Sequence, residues 1–232
     1  NEEYDPATDS WTTKQPLPSA RAGVAAAVGS DGKIYVAGGA DPSATPLNLF
    51  EEYDPATDSW TTKAGMSVAR EGLTLVSTTN GKIYAIGGRN GTGVLRTVEE
   101  YDIASDTWTT KTGLTTVRWY APAVTGIDGR IYVIGGSNSF SGFGALSSVE
   151  TYDPVTNSWS HNTNINTPRI AHAVALLSNG KIYAIGGAAD NGDPLSVVEE
   201  AEIVVATPTP TITPTFTPTP TPTEPPSPTP PP

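Results

Sequence analysis

Four arginines recur at intervals of 49, 48 and 51 residues, and their side-chain chemistry suggests ligand binding. They are Arg21, Arg70, Arg118 and Arg169. A guanidinium group donates paired hydrogen bonds to planar anions, so several of them around one opening would bind carboxylates, sulfates or an acidic peptide. A residue that occurs in every repeat normally serves the repeat, and the alternative is pairing with an acid or with backbone carbonyls of the neighbouring repeat. We favour this structural interpretation.

Two groups of aromatic residues interrupt the repeat and are further candidates for ligand binding. Trp119 and Tyr120 follow the third arginine, where the other repeats carry small, aliphatic or acidic residues. Such a pair can stack a sugar ring, and the alternative is packing into the wall of the fold. Phe140 and Phe143 lie in a glycine- and serine-rich segment, where exposed rings can dominate an interface. The alternative is that these two rings fold back over their own repeat.

The residue inventory excludes several classes of catalytic and metal site. Cysteine is absent, so the chain has no disulfide, thiolate nucleophile or cysteine metal ligand. His161 and His172 are too few for a multi-histidine metal centre, and we interpret His172 as a packed residue. The repeated Glu-Glu pairs alternate between the two faces of a strand and cannot act as an acid/base pair. We expect no catalytic residue, metal or cofactor.

The net charge argues against a nucleic acid partner, and the hydropathy argues against a transmembrane segment. The net charge is −11, whereas a phosphate-binding surface needs clustered lysine and arginine, so we expect no nucleic acid partner. The sequence contains no run of 18 or more apolar residues, so we expect no transmembrane segment.

The elements that must position these side chains are marked by a repeated diglycine. It closes the phrases KIYVAGG (33–39), KIYAIGG (82–88), RIYVIGG (130–136) and KIYAIGG (181–187), at the pairs Gly38-Gly39, Gly87-Gly88, Gly135-Gly136 and Gly186-Gly187. A tryptophan keeps the same spacing, at Trp11, Trp60, Trp108 and Trp159. A period of about 50 residues marks a repeat architecture of β-strands. We interpret the glycines and tryptophans as structural, with each aromatic ring buried between neighbouring repeats.

Each repeat predicts four short antiparallel strands. The arginine begins a first strand, and an Asp-Gly or Asn-Gly pair then marks a hairpin, as at Asp31-Gly32 and Asn80-Gly81. Two such residues between apolar runs are typical of a type I′ turn, with positive φ at both. The diglycine ends the second strand, a Val-Glu-x-Tyr-Asp phrase forms the third, and the tryptophan lies in the fourth.

The order of these features resembles the kelch repeat. Arginine, hairpin, Ile-Tyr-x-x-Gly-Gly, variable loop, Val-Glu-x-Tyr-Asp-Pro and tryptophan follow one another four times, from residue 1 to about 205. The resemblance implies an all-β propeller of four-stranded blades around a central channel. It also suggests a member of a secreted or surface type from bacteria.

The strand inventory predicts about four and a half blades in a domain over residues 1–206. The units span about 1–15, 20–63, 69–111, 118–161 and 169–205. Because kelch propellers mostly have six or seven blades, we expect a C-terminal fragment of a larger propeller, with a native four- or five-bladed ring as the alternative. Residues 207–232 contain twelve prolines and ten threonines, which predicts a disordered stalk or linker. We expect an extracellular or cell-surface location, with attachment through a region beyond this stalk.

The variable segments predict where binding occurs. In a propeller, the second-to-third-strand loops and the fourth-to-first-strand connections share one face, and the second-to-third loops vary from repeat to repeat. We therefore predict a non-catalytic module that binds a protein or a glycan through this face. The resemblance leaves two alternatives open, an enzyme similar to sialic-acid mutarotases and a purely structural spacer.

Overall fold

The computed structural model describes residues 1–140 and 143–203, and all regular structure in these ranges is β-strand. The predicted stalk at 207–232 lies outside the described residues. No helix in the described part is long and apolar enough to cross a membrane. The predicted fold class, a β-propeller, is confirmed.

Nineteen strands form the described part of the chain. The N-terminal hairpin consists of β1 (Glu2–Asp5) and β2 (Ser10–Thr13). Blade 1 contains β3 (Ala25–Val28), β4 (Ile34–Ala37), β5 (Phe50–Asp54) and β6 (Ser59–Thr62). Blade 2 contains β7 (Thr74–Ser77), β8 (Lys82–Ile86), β11 (Val98–Asp102) and β12 (Thr107–Lys111), with the small hairpin β9 (Arg89–Asn90) and β10 (Gly93–Val94) in its loop. Blade 3 contains β13 (Ala123–Thr125), β14 (Ile131–Ile134), β15 (Val149–Asp153) and β16 (Ser158–Asn162), and blade 4 contains β17 (Ala173–Leu176), β18 (Lys181–Ile185) and β19 (Val198–Glu202).

All pairs within the blades are antiparallel, and the inner strands β3, β7, β13 and β17 lie side by side. The third and fourth strands are joined by an aromatic pair of the same register in three blades and the N-terminal hairpin. These pairs are Tyr4–Trp11, Tyr53–Trp60, Tyr101–Trp108 and Tyr152–Trp159. Their ring centroids are 5.0 to 5.2 Å apart. Cross-strand aromatic contacts of this kind stabilise the outer half of each blade.

The hairpin turns differ from the predicted type I′ geometry. In blade 1 the Gly29 amide donates to the Lys33 carbonyl (2.8 Å), and the Gly32 amide donates back to Gly29 (3.0 Å). Only the glycine has positive φ, at 79° for Gly32. The last hydrogen bond between the two strands joins Gly29 and Lys33, so the loop contains three residues, 30–32, and not only the Asp-Gly pair. The loop ends in a glycine with left-handed backbone geometry.

The inner strands begin four or five residues after the arginines, which corrects the prediction that the arginines begin them. A residue with positive φ separates each arginine from its strand, at Gly23, Gly72, Tyr120 and Ala171. These four residues form a chain of backbone hydrogen bonds across the blades. The amide of Gly72 donates to the carbonyl of Gly23 (2.9 Å), that of Tyr120 to Gly72 (2.8 Å), and that of Ala171 to Tyr120 (3.1 Å).

The diglycines let neighbouring blades approach closely. All eight glycines have positive φ. The amide of the second glycine donates to the carbonyl of the next blade's arginine, for example Gly39 to Arg70 at 3.0 Å and Gly88 to Arg118 at 2.9 Å. A Cβ atom on Gly38 would collide with that same Arg70 oxygen. Glycine suits these positions because only glycine combines this φ with this approach.

Tyrosines fill the core between the blades, whereas the tryptophans are only half-buried there. Tyr101 is buried against Tyr35 and Phe50 of blade 1, and Tyr152 against Tyr84 of blade 2. The indole N–H groups of Trp60, Trp108 and Trp159 donate to the carbonyls of Gln15, Ala64 and Thr112, in the segment that precedes each blade, at 3.0, 2.8 and 2.8 Å. The prediction that each of these rings is buried was therefore wrong, because Trp60, Trp108 and Trp159 are half-buried and Trp11 is exposed.

Candidate functional site

The four repeated arginines are buried in ion pairs and are not open to a ligand. The pairs are Arg21–Glu51, Arg70–Glu99, Arg118–Glu150 and Arg169–Glu199, each at 2.5 Å. The arginine side chains are at most 1 % exposed. Each glutamate lies on the third strand of the same blade. The acid is therefore in the arginine's own blade, not in the neighbouring one.

Backbone groups complete these buried pairs. Glu150 also accepts hydrogen bonds from the amides of Thr115 (2.7 Å) and Thr116 (3.1 Å), in the connection that enters blade 3. Burial opposes ionisation of Glu150, but Arg118 and Thr115 hold the pKa of its carboxyl below the usual value. Burial lowers the pKa of Arg70 to about 10, so its guanidinium remains charged at neutral pH. Through their glutamates, the ion pairs tie blades 2, 3 and 4 to their own entry segments.

Three predicted site residues meet around an arginine outside the repeated set. The guanidinium carbon of Arg89 lies 3.8 Å from the ring centroid of Trp119 and 5.9 Å from that of Phe140. The rings of Trp119 and Tyr120 are 4.4 Å apart. A cation over an indole face is a favourable electrostatic contact. We call Arg89, Trp119, Tyr120 and Phe140 the aromatic–arginine cluster.

Hydrogen bonds hold this cluster at the junction of blades 2 and 3. The Nε of Arg89 donates to Glu71 at 3.0 Å, and the Trp119 indole donates to the Ser139 carbonyl at 3.1 Å. No other described residue accepts a hydrogen bond from Arg89. Arg89 follows a diglycine and Trp119 follows an arginine of the repeat, so loops of the predicted variable face supply both. Sequence reasoning missed Arg89, although the other diglycines are followed by Ala40, Ser137 and Ala188.

Tyr120 occupies a strained backbone position. Its φ is 47°, where the corresponding residues of blades 1 and 2 are glycines. A non-glycine residue pays for this conformation, which persists only where the surroundings fix it. Here the Tyr120 amide donates to Gly72, and its carbonyl accepts from Ala171. The residue remains 37 % exposed beside Trp119, so these hydrogen bonds hold a partly exposed aromatic side chain in place.

Phe143 lies apart from the aromatic–arginine cluster. Its ring packs on Gly192, in the loop of blade 4, and the neighbouring Ala145 amide donates to Asp190 at 2.8 Å. Phe143 and Phe140 are 44 % and 51 % exposed. The structure therefore separates the two phenylalanines, one toward Arg89 and one toward blade 4.

A cavity of about 330 Å³ lies beside Tyr120, lined by residues of blades 2 to 4 that include Leu73, Pro122 and His172. His172 is buried, and neither ring nitrogen has a hydrogen-bond partner among the described residues. Burial and the nearby Arg169 lower its pKa to about 4. The imidazole is neutral at physiological pH, and we find no group beside it that it could activate.

The described residues contain no group of three or more histidine and acidic side chains placed to hold a metal ion. A family model described as the KLHDC2/KLHL20/DRC7 Kelch-repeats domain matches residues 3–187, which is most of the chain. A search of curated proteins found no match.

Proposed function

The chain belongs to the kelch-repeat family, and from this we propose that it is a non-catalytic recognition module whose aromatic–arginine cluster binds a partner. Kelch propellers are in general protein-binding scaffolds. The further step, from the scaffold to a surface, rests on the contacts of Arg89 with Trp119 and Phe140.

The cluster departs from the repeat in a way that packing does not require. At the position of Trp119 the other repeats have Ala22, Glu71 and Ile170, and at the position of Arg89 they have residues with small side chains. The blades form with those residues, so the fold needs neither a tryptophan nor an arginine there. Tryptophan, tyrosine and arginine are also the residues that contribute most often to the energy of interfaces.

The chemistry of the cluster indicates what the partner presents. Trp119, Tyr120 and Phe140 offer ring faces, and Arg89 retains donors that no described residue occupies. We propose a protein segment that places an apolar or aromatic side chain on the rings and a carboxylate against Arg89. A glycan is the second candidate, because the Trp119–Tyr120 pair beside the 330 Å³ cavity offers a platform for a sugar ring.

Display of random peptides and a glycan array distinguish the two candidates. Probes captured by the unmodified chain are tested again with Trp119→Ala and Arg89→Ala, and we expect at least a tenfold loss of affinity in both. Phe143→Ala is the matched control, because Phe143 is an exposed ring of the same loop outside the cluster. Melting temperatures show that the variants fold. Binding that survives Trp119→Ala would contradict the proposal, and failure to capture any probe would favour a spacer.

The cellular setting is a separate proposal. The Thr/Pro-rich segment at 207–232 supports a module held outside the cell. Surface labelling of cells that express the complete protein tests this, and a signal only after permeabilisation would contradict it. No contact in the described residues favours the mutarotase-like alternative.

A further inference from the structure

Glu71 lies beside the aromatic–arginine cluster and, like Arg89, departs from the repeat. The Nε of Arg89 donates to its carboxylate at 3.0 Å. At the position of Glu71 the other blades have Ala22, Trp119 and Ile170, and at the position of Arg89 they have Ala40, Ser137 and Ala188. Of the four blades, only blade 2 therefore carries an acid and a base at these two positions.

The fold forms this contact between strands without the ion pair. In all four blades the two positions exchange a pair of backbone hydrogen bonds, which in blade 2 join Glu71 and Arg89 at 3.0 and 2.9 Å. The same bridge joins Ala22 to Ala40 in blade 1, at 3.0 and 2.8 Å. Because the backbone bridge needs no charged side chain, substitutions of Glu71 should leave the blade folded.

Glu71 determines which edge of the Arg89 guanidinium faces a partner. A guanidinium carries five N–H donors in one plane, one on Nε and two on each Nη. Glu71 accepts from Nε, and the ring of Trp119 covers the plane, with 3.8 Å between its centroid and the guanidinium carbon. No described residue accepts a hydrogen bond from Nη1 or Nη2, and the Arg89 side chain is 30 % exposed. A planar anion can therefore bind along the edge that the two Nη groups form.

Glu71 also sets the charge of this site. Its carboxylate balances the guanidinium, in a chain whose net charge is −11. An anion on the Nη edge is attracted by Arg89 and repelled by Glu71 across the guanidinium, so the net attraction is small. This attraction grows in proportion to the charge of the anion, whereas the cost of removing the anion from water grows with the square of that charge. A single carboxylate is therefore favoured over a group with two negative charges.

We propose that Glu71 is a positioning residue that makes the aromatic–arginine cluster selective for a carboxylate over a phosphate group. It holds the Arg89 guanidinium flat on Trp119, and its charge disfavours a dianion on the Nη edge. The inference rests on the proposed function, in which a protein segment places a carboxylate against Arg89. It adds that the segment carries an acidic side chain and not a phosphorylated one.

Two variants of the whole chain separate these two effects. Glu71→Gln and Glu71→Ala both remove the negative charge, but only glutamine keeps an oxygen that accepts from Nε. The probes are phenylpropionate, with one negative charge, and phenylethyl phosphate, with about two at neutral pH. Both carry a phenyl ring for the aromatic side chains. Affinities are measured from the indole N–H signal of Trp119 in proton–nitrogen NMR spectra, which is assigned by its loss in Trp119→Phe.

The unmodified chain is expected to bind phenylpropionate at least threefold more tightly than phenylethyl phosphate. Glu71→Gln should raise the affinity for the phosphate at least threefold more than the affinity for the carboxylate. Glu71→Ala should bind both probes at least fivefold more weakly than Glu71→Gln, because its guanidinium is no longer held. Asp193→Asn is the matched control, since it removes one charge from the exposed corresponding loop of blade 4, and it should leave the ratio of the two affinities unchanged.

The outcomes distinguish this inference from the proposed function. An unchanged ratio of affinities in Glu71→Gln would overturn the selectivity, and equal binding by Glu71→Gln and Glu71→Ala would overturn the positioning role. In both cases the probes still bind and the proposed function stands. If neither probe shifts the Trp119 signal in any of the three chains, the cluster does not bind a ring with an anion, and both proposals are overturned.

Discussion

At the residue scale, the repeated arginines are buried in ion pairs, whereas Arg89, which is not repeated, is partly exposed. Arg118 and Glu150 are both buried, and each satisfies the other together with backbone groups. Arg89 instead lies at the loop surface on Trp119. The sequence offered the four arginines both as ligand-binding candidates and as parts of the scaffold, and it did not identify the glutamates that pair with them. Each glutamate is about 30 residues away, and several Glu-Glu pairs offered equivalent choices.

Removal of one member of a buried ion pair should be costly. Glu150→Ala leaves the Arg118 guanidinium buried without its counter-ion, and we expect the free energy of unfolding to fall by about 3–5 kcal/mol. Urea denaturation followed by tryptophan fluorescence measures the change. Glu200→Ala is the control, since its pair with Lys181 is exposed to solvent and should matter little. Equal effects of the two variants would contradict a structural role for the buried pairs.

His172 should make the fold sensitive to acid. Its pKa is lowered from 6.5 to about 4 in the folded chain, so the unfolded chain binds a proton first as the pH falls. Stability is retained above pH 6.5 and lost between pH 6.5 and 4, by about 2–3 kcal/mol between pH 7 and pH 4.5. The variant His172→Leu should remove this part of the pH dependence. Leucine is chosen because Leu73 occupies the equivalent position of blade 2. The unfolding free energies of the unmodified chain and of His172→Leu are compared at each pH, because the carboxylates contribute equally to both and their difference reports His172 alone. A difference that does not change with pH would contradict the lowered pKa of His172.

At the element scale, local signals predicted the strands well and long-range geometry less well. Alternating apolar residues, turn glycines and the Asp-Pro turns mark each strand within a few residues, because neighbouring residues in the chain determine them. The predicted start of the inner strands was wrong, since the backbones of Arg70, Arg118 and Arg169 pair with the preceding blade instead. The meeting of Arg89 with Trp119 could not be predicted either, because these residues come from different blades and no local pattern connects them.

The tryptophans should contribute to stability through their hydrogen bonds between blades as well as through their rings. Trp108→Phe keeps most of the ring but loses the bond to the Ala64 carbonyl, and we expect a loss of about 1 kcal/mol. Trp108→Ala also removes the contact with Phe50 and Tyr101, for a total of about 2–3 kcal/mol. Urea denaturation measures both. Neither variant should change binding at the aromatic–arginine cluster, and a loss of binding at unchanged stability would show that Trp108 belongs to the recognition surface.

At the scale of the whole molecule, the blades should differ in local stability although their sequences are similar. In a repeat protein each unit is stabilised mainly by its neighbours, so the junctions determine which blade opens first. The junctions of blade 2 contain Tyr101 and Tyr152, whereas the junction of blades 3 and 4 contains a cavity of about 640 Å³. Ala201 lines this cavity and pairs with Ile182 as Tyr101 pairs with Ile83, so an alanine stands where blade 2 has a tyrosine. The aromatic–arginine cluster, at the junction of blades 2 and 3, therefore lies on the well-packed part of the fold.

Hydrogen exchange should reveal this gradient. We expect amides of β8 and β11 to exchange most slowly, and those of β17 to β19 and the N-terminal hairpin at least tenfold faster. Ala201→Tyr supplies the missing ring, so it should slow exchange in β18 and leave β8 unchanged. Equal protection of β18 and β8 in the unmodified chain would mean that the cavity does not weaken blade 4.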